Sequence, residues 1–530
     1  MSIRARTAPF AFALAASAAA CGERAEVWDA PIGNPTPIAL ESNVALVDPG
    51  GRRVLVLEPK DGQELDRTSV EVGKGIIAAA ASADQKRLVV LSTGDVPRRK
   101  NDDERASLTI LEGTRARRLP LESPHTGLAI DPLGRYVAVF AAPGSTALGA
   151  FVENPNEIIV VDLQADDAKA IVPRTLRSFG GRPQRVSFSP ELQLPGGKRR
   201  LLVVETDQDV VLLDLDHVHD APERPEITVR LTSGSSTKAL SPAAVVFDDG
   251  DPAKNDDARI GVRLANDSNV VTLTLGVAPS GSPNDFLPTL NLTDVGGPAT
   301  DLAFVRTDAG LRLAALVPGN ARAVLVEPAT SVTSTVDISG GFSRISLVTS
   351  AVGSAGSDVA LLYGSGSAAV AFWALGRAVG QSFRSVEIVS LGSGGGGVTQ
   401  VLDVPAPQSN LKVLQTSGSA FYVLDLVKRT APPLTTQGQA EVRVSPDGKR
   451  LWVFGKNTPS LAQVDLATLH PVQLPLERTI DSVFEVGRPG GRSLVVVDRR
   501  GGVGATVLDA TAPDTATSRS FYGLLLEGLQ

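Results

Sequence analysis

Two kinds of short apolar run alternate along this chain on a shared period, and no one pair of them shields itself from water. The first kind ends in an acid: Val54-Leu-Val-Leu-Glu58, Leu108-Thr-Ile-Leu-Glu112, Ile158-Ile-Val-Val-Asp162, Val210-Val-Leu-Leu-Asp214, Ala323-Val-Leu-Val-Glu327, Phe421-Tyr-Val-Leu-Asp425, Ala462-Gln-Val-Asp465 and Thr506-Val-Leu-Asp509. Thr272-Leu-Thr-Leu275 and Ala371-Phe-Trp-Ala-Leu375 fill two gaps without the acid, giving ten copies spaced roughly 40 to 60 residues apart. A second series precedes each copy, from Asn43-Val-Ala-Leu-Val47, Arg87-Leu-Val-Val-Leu91 and Arg200-Leu-Leu-Val-Val204 through to Arg450-Leu-Trp-Val-Phe454 and Ser493-Leu-Val-Val-Val497. Runs this short, rich in Val, Leu and Ile and bounded by Gly, Pro, Asp and Ser, read as strands. The turns before the second series suit hairpins, as in Ser445-Pro-Asp-Gly-Lys-Arg450 and Asp131-Pro-Leu-Gly-Arg135, where Pro fixes φ and Gly accepts a positive φ.

Each unit is therefore a small antiparallel meander that must stack on its neighbours, and radial stacking into a β-propeller leaves few exposed edges. The expectation is an all-β propeller of eight to ten four-stranded blades in one ring, with the last segment, Phe521 to Leu526, as the outer strand of the final blade. Composition agrees. Of 530 residues 42% are hydrophobic, enough for a sizeable core, and the 51 Gly and 36 Pro follow no collagen period. A single cysteine excludes an internal disulfide and an all-cysteine zinc site. The net charge of −7 argues against a nucleic-acid partner, which calls for a basic face. Ala129-Ile-Asp-Pro-Leu-Gly-Arg-Tyr-Val-Ala-Val-Phe140 with Ile158-Ile-Val-Val-Asp-Leu163, and Val444-Ser-Pro-Asp-Gly-Lys-Arg-Leu-Trp-Val-Phe454 with Val464-Asp-Leu466, resemble blades of the bacterial YVTN/lactonase-like (WD40-like) propellers. That resemblance implies a fold and no particular reaction.

Arg4 and Arg6 precede an uncharged, Ala-rich stretch from Thr7 to Ala20, the layout of a secretory signal peptide. Ala18-Ala-Ala-Cys21 resembles the lipobox of bacterial lipoproteins, which implies acylation of Cys21. Gly22 resembles the pattern sent to the outer membrane. The organisation expected is a signal peptide over 1–20, a lipid-anchored tether over 21–37 and a propeller over 38–530. The location expected is the bacterial cell envelope, on the outer membrane.

Candidate chemistry is sparse. Asp214-Leu-Asp-His-Val-His-Asp220 is the most metal-like segment, with Asp214, Asp216, His217 and His219 as weak candidate ligands. In an extended strand the two histidines would face away from the acids, so the favoured reading is a solvated strand end. Asp248-Asp-Gly-Asp-Pro-Ala-Lys-Asn-Asp-Asp257 reads as an exposed hairpin loop rather than a calcium site. Arg98-Arg-Lys-Asn-Asp-Asp-Glu104 reads as a solvated insertion whose mixed charge suits a protein contact. His125 and His470 read as loop residues, Trp373 and Trp452 as core, and Gly392-Ser-Gly-Gly-Gly-Gly397 as a flexible turn. The function expected is a monomeric, non-enzymatic scaffold without a cofactor, held to the membrane by its lipid and binding an envelope protein or glycan. The alternative is a lactonase-like or metal-dependent hydrolase built on His217 and His219.

Overall fold

The computed structural model describes residues 34–144, 151–177, 181–232, 240–251, 256–348, 359–376, 386–392, 396–418, 420–434, 441–499 and 502–526. Cys21, Trp28 and the whole proposed leader lie outside them. The described residues form ten four-stranded antiparallel sheets, spanning 36–71, 76–120, 127–175, 183–230, 242–294, 301–337, 344–390, 398–434, 441–475 and 482–521, hereafter blades 1 to 10. A two-stranded hairpin, Leu192–Leu194 with Gly197–Arg199, is inserted into blade 4.

The two series of apolar runs are the second and third strands of all ten blades. Their apolar continuity has a simple cause. Side chains alternate between the faces of a strand, and here both faces are buried. In the second strand of blade 1, Val44–Asp48, Val44 and Leu46 pack toward blade 10 while Ala45 and Val47 pack toward blade 2. Ten apolar clusters among the described residues fill the ten gaps between neighbouring blades, the last joining blade 10 to blade 1. The sheets thus close into one ring of ten blades. Trp373 and Trp452 are fully buried in two of these gaps, and the Trp452 indole N–H donates to Glu485 Oε2 at 2.8 Å.

First strands of adjacent blades lie against one another around the axis and are mostly half-buried. The hairpins linking first to second strands carry the turn chemistry read from sequence. In blade 9 Gly448 has φ of 65°, its N–H donates to Ser445 O at 3.0 Å, and the Arg450 N–H donates to Ser445 Oγ at 2.9 Å. Gly134 does the same work in blade 3, with φ of 69° and a bond to Asp131 O at 2.8 Å.

Among the described residues no strand is exchanged across the seam, because blades 1 and 10 are each built from four consecutive strands. Side-chain and loop contacts close it instead. Gly487 N donates to Glu41 O at 2.8 Å, Arg488 pairs with Asp61 at 3.6 Å and Arg519 pairs with Glu64. The outer strand of blade 10 is Arg519–Phe521, not a strand running to Leu526. Leu524–Leu526 instead forms a 3₁₀ turn whose Leu524 and Leu525 are buried against both end blades, with Leu525 O accepting from the Arg53 guanidinium. Burying two leucines in the seam outweighs extending an edge strand. At the other end the first strand opens at Thr36 and takes in Pro37, both assigned to the tether from sequence.

Candidate functional site

In each blade the hairpins from first to second strand and from third to fourth strand emerge on one face of the ring; the other connections emerge on the opposite face. The metal-like segment lies on the first of these faces. Its third strand stops at Asp214 and the chain turns over 215–219, so His217 and His219 lie in the loop beyond the strand end. The four candidates are drawn to different partners. Asp214 Oδ2 accepts from Arg199 Nη1 at 2.7 Å in a buried pair, and burial raises its carboxyl above the usual range even though Arg199 opposes the rise. Asp216 Oδ2 accepts from the Arg200 N–H at 3.0 Å. His217 Nδ1 lies 2.8 Å from Asp220 Oδ2, and His219 Nε2 lies 3.2 Å from Asp162 Oδ2 of blade 3. Among the described residues no group of three or more His, Cys, Asp or Glu is placed to hold a metal ion.

These residues belong to a charged lattice that ties blades 3, 4 and 5 together. Arg200 Nη1 donates to Asp131 Oδ2 at 2.5 Å, joining blade 4 to the hairpin of blade 3 with both partners buried. Tyr136 lies between Arg135 and Arg200, whose guanidinium carbons stand 4.7 and 5.5 Å from its ring centre, and its hydroxyl donates to Leu215 O at 2.9 Å. Arg199 and Arg224 share Asp285, at 3.1 and 2.9 Å. Asp248, at the edge of the acid-rich loop, faces Arg259 and Arg306, and Asp256 pairs with Arg259 at 2.6 Å. Residues 252–255 of that loop lie outside the described residues. His470 is an exposed loop residue.

The opposite face carries a different arrangement between blades 2 and 3. Its connections from second to third strand are long in these two blades, 93–106 and 141–156, against 207–208 or 265–268 elsewhere; 145–150 lie outside the described residues. The first loop is folded on its own charges. Asp103 Oδ2 accepts the N–H groups of Arg99 and Lys100 at 2.5 and 2.8 Å, which holds its carboxyl below the usual range. Glu104 accepts the Lys74 N–H at 2.8 Å and pairs with Arg118, while Asp95 pairs with Lys74 and is lowered by that bond. The run expected to be merely solvated is thus partly turned inward.

The two loops and the crossover 121–126 enclose a cleft of about 230 Å³, lined by Val96, Pro97, Arg98, Glu122, Pro124, Phe151 and Glu153 among others. Phe151 is 43% exposed, a large apolar side chain standing at the mouth. Glu122 pairs with the exposed Arg105 at 3.5 Å, and Arg98 lines the cleft together with Glu122 and Glu153. Beneath the cleft His125 lies in a loop, as read from sequence, and is fully buried there. Neither ring nitrogen makes a hydrogen bond within the described protein, and Nε2 stands 3.5 Å from Glu157 Oε1. Burial lowers the His125 pKa to about 4, so the ring is neutral at pH 7. Burial, then the charges of Glu153 and Glu122, raise the Glu157 carboxyl above its usual range. The volume is below the roughly 300–1,000 Å³ typical of small-molecule pockets, and suits one side chain or one sugar ring of a larger partner. Sequence reasoning missed Phe151, Glu153, Glu157 and the burial of His125. The signal present was loop length, since long ordered connections are uncommon outside functional regions.

No protein-family model matches this chain, and no curated protein matches it. Among solved structures, dihydro-heme d1 dehydrogenase NirN in complex with DHE is similar at 15% identity over 75% of each chain, with a TM-score of 0.42. A eukaryotic initiation factor is similar at 10% identity over 91% of this chain and 96% of its own, with a TM-score of 0.42. The Dos1 propeller is similar at 12% identity over 72% of this chain and 90% of its own, with a TM-score of 0.39. These likenesses carry no ligand or activity over to this chain.

Proposed function

We propose that this chain is a lipid-anchored, non-enzymatic scaffold of the bacterial cell envelope that grips a partner protein at the cleft between blades 2 and 3. The observation that carries this reading is the exposed Phe151 beside Glu122 and Glu153, where the two longest loops of that face meet. A basic side chain of the partner fits this chemistry. It would stack on the phenyl face and neutralise carboxylates that otherwise repel one another. Acylation at Cys21 would hold the ring at the outer membrane, since two or more acyl chains give stable anchoring.

A photoreactive residue in place of Phe151 tests the cleft in intact cells. The expected result is a crosslink to a discrete envelope protein whose yield falls at least tenfold when Glu122→Gln and Glu153→Gln are combined. Crosslinks only to glycan, or a yield indifferent to those substitutions, would overturn the cleft assignment. Cys21→Ser tests the anchor separately: the protein should move from the membrane fraction to the soluble envelope fraction.

A further inference from the structure

Of the ten outer strands, nine are short or charged, two of the features that keep a sheet edge from pairing with foreign strands; proline is a third. In blade 1 the outer strand Leu65–Glu71 carries Asp66, Arg67 and Glu71; in blade 2, Arg115–Pro120 carries three arginines. The rest of the nine are five residues or fewer, among them Pro433–Leu434, Arg519–Phe521 and the proline-bracketed Pro471–Pro475. Blade 5 departs from this pattern. Its outer strand, Phe286–Asp294, is nine residues long and has no charge before Asp294, so that Pro288 is the one protective feature it carries.

The register fixes which backbone groups of that strand face outward. It pairs along its whole length with the third strand, Asn269–Val277, with Leu275 opposite Pro288. The Leu275 N–H donates inward to Ala258 O at 2.9 Å, so Leu275 and Pro288 exchange no bonds. At the two ends Ala278 N donates to Asp285 O and Val295 N donates to Ser268 O, both at 2.9 Å, which assigns the odd-numbered residues to the inner ladder. Phe286, Pro288, Leu290 and Leu292 therefore turn their backbone polar groups away from the blade. Phe286 is 1% exposed and closed to a partner, so the groups on offer are N–H donors at Leu290 and Leu292 and carbonyl acceptors at Pro288, Leu290 and Leu292, and no hydrogen bond to these groups occurs among the described residues. Pro288 removes one donor from the middle of the edge, so an incoming chain is read in register. Beside it Leu287 is 47% exposed, because its cross-strand partner is Gly276 and no side chain covers it.

We propose that the outer edge of blade 5 takes up an extended segment of another polypeptide as a fifth strand. Alternating donors and acceptors at strand spacing are matched by an extended backbone, and an apolar residue of the incoming strand would cover Leu287. The chain's net charge of −7 works against a second copy as the occupant. This surface is separate from the cleft between blades 2 and 3 and does not depend on that reading.

The test uses the purified full chain and a fluorescent peptide of sequence Lys-Thr-Val-Thr-Val-Thr-Val-Lys, followed by anisotropy and by residue-resolved amide exchange. Saturable binding is expected, with new protection at the amides of Leu290 and Leu292. Leu290→Pro deletes one outward donor without touching the inner ladder and should weaken binding at least tenfold, with some loss of melting midpoint because Leu290 packs toward blade 4. Leu287→Lys provides a second variant with an intact backbone and should also weaken it. Absence of saturable binding below about 1 mM would overturn the proposal. So would affinity indifferent to both substitutions, protection confined to other blades, or self-association of the chain through this edge.

Discussion

The two faces of the ring use charge in opposite ways. Across blades 3 to 5, on the face of the strand-linking hairpins, guanidinium groups meet carboxylates in a continuous lattice: Arg200 with Asp131, Arg199 with Asp214 and Asp285, His219 with Asp162. Between blades 2 and 3, on the other face, Glu122, Glu153 and Glu157 act on one another, with a buried neutral His125 below them and an exposed Phe151 beside them. The difference teaches that density of charged residues in sequence marks the joint, while poorly compensated charge near an uncovered aromatic marks the surface that is open to a partner.

The sharpest way to break that comparison is Arg200→Ala. Asp131 is 1% exposed, and removing its partner leaves a buried charge uncompensated, so the loss in denaturant unfolding free energy should be about 3–5 kcal/mol. Adding Asp131→Asn should recover part of it. If both variants unfold like the parent chain, the lattice is not a joint.

The second effect concerns His125 and acid. Its folded pKa lies below its unfolded value, so the stability it confers is present above about pH 6.5 and is lost as pH falls toward 4. The shift corresponds to roughly 3 kcal/mol over that window. Glu157 works in the opposite direction, because a raised carboxyl favours the folded state at low pH. In stability measured against pH, the parent chain should therefore lose more than His125→Leu as pH falls from 7 to 4.

Smaller effects follow on the lattice side. His217→Ala should change stability by no more than about 1 kcal/mol, as for other partly exposed ion pairs. Titration with zinc should move the melting midpoint of the parent and of the double variant His217→Ala, His219→Ala alike. Smallest of all on stability is Phe151→Ala, expected within about 0.5 kcal/mol of the parent while partner crosslinking at the cleft is lost.

Much of this architecture was legible in the chain because the second and third strands are buried on both faces and are dominated by apolar residues, with only an occasional Thr, Gln or Arg among them. Leu88-Val-Val-Leu91 and Leu494-Val-Val-Val497 announce themselves. The first and fourth strands do not. Ile76–Ala81 is half-buried and alanine-rich, and Arg115-Ala-Arg-Arg-Leu-Pro120 resembles a polar loop, since only Leu119 is buried. Closure at ten blades depends on how each gap is filled around a whole circle, which no local run encodes. The cleft was illegible for a related reason: Pro124-His125-Thr126 has no period that betrays burial, and the carboxylate nearest His125 belongs to the third strand of the next blade. Asp214 to His219 misled in the opposite sense. Its residues are neighbours in sequence, but His219 is claimed by Asp162, 57 positions away.

Among the described residues the seam between blades 10 and 1 is joined by side chains and loops, with no strand passed between the two end blades. Each blade is consequently a self-contained module, and a gene encoding such a ring can gain or lose a whole module by duplication or deletion without rethreading any other. Circumference then becomes a quantity that evolution adjusts one wedge at a time, and ten is one value along that scale.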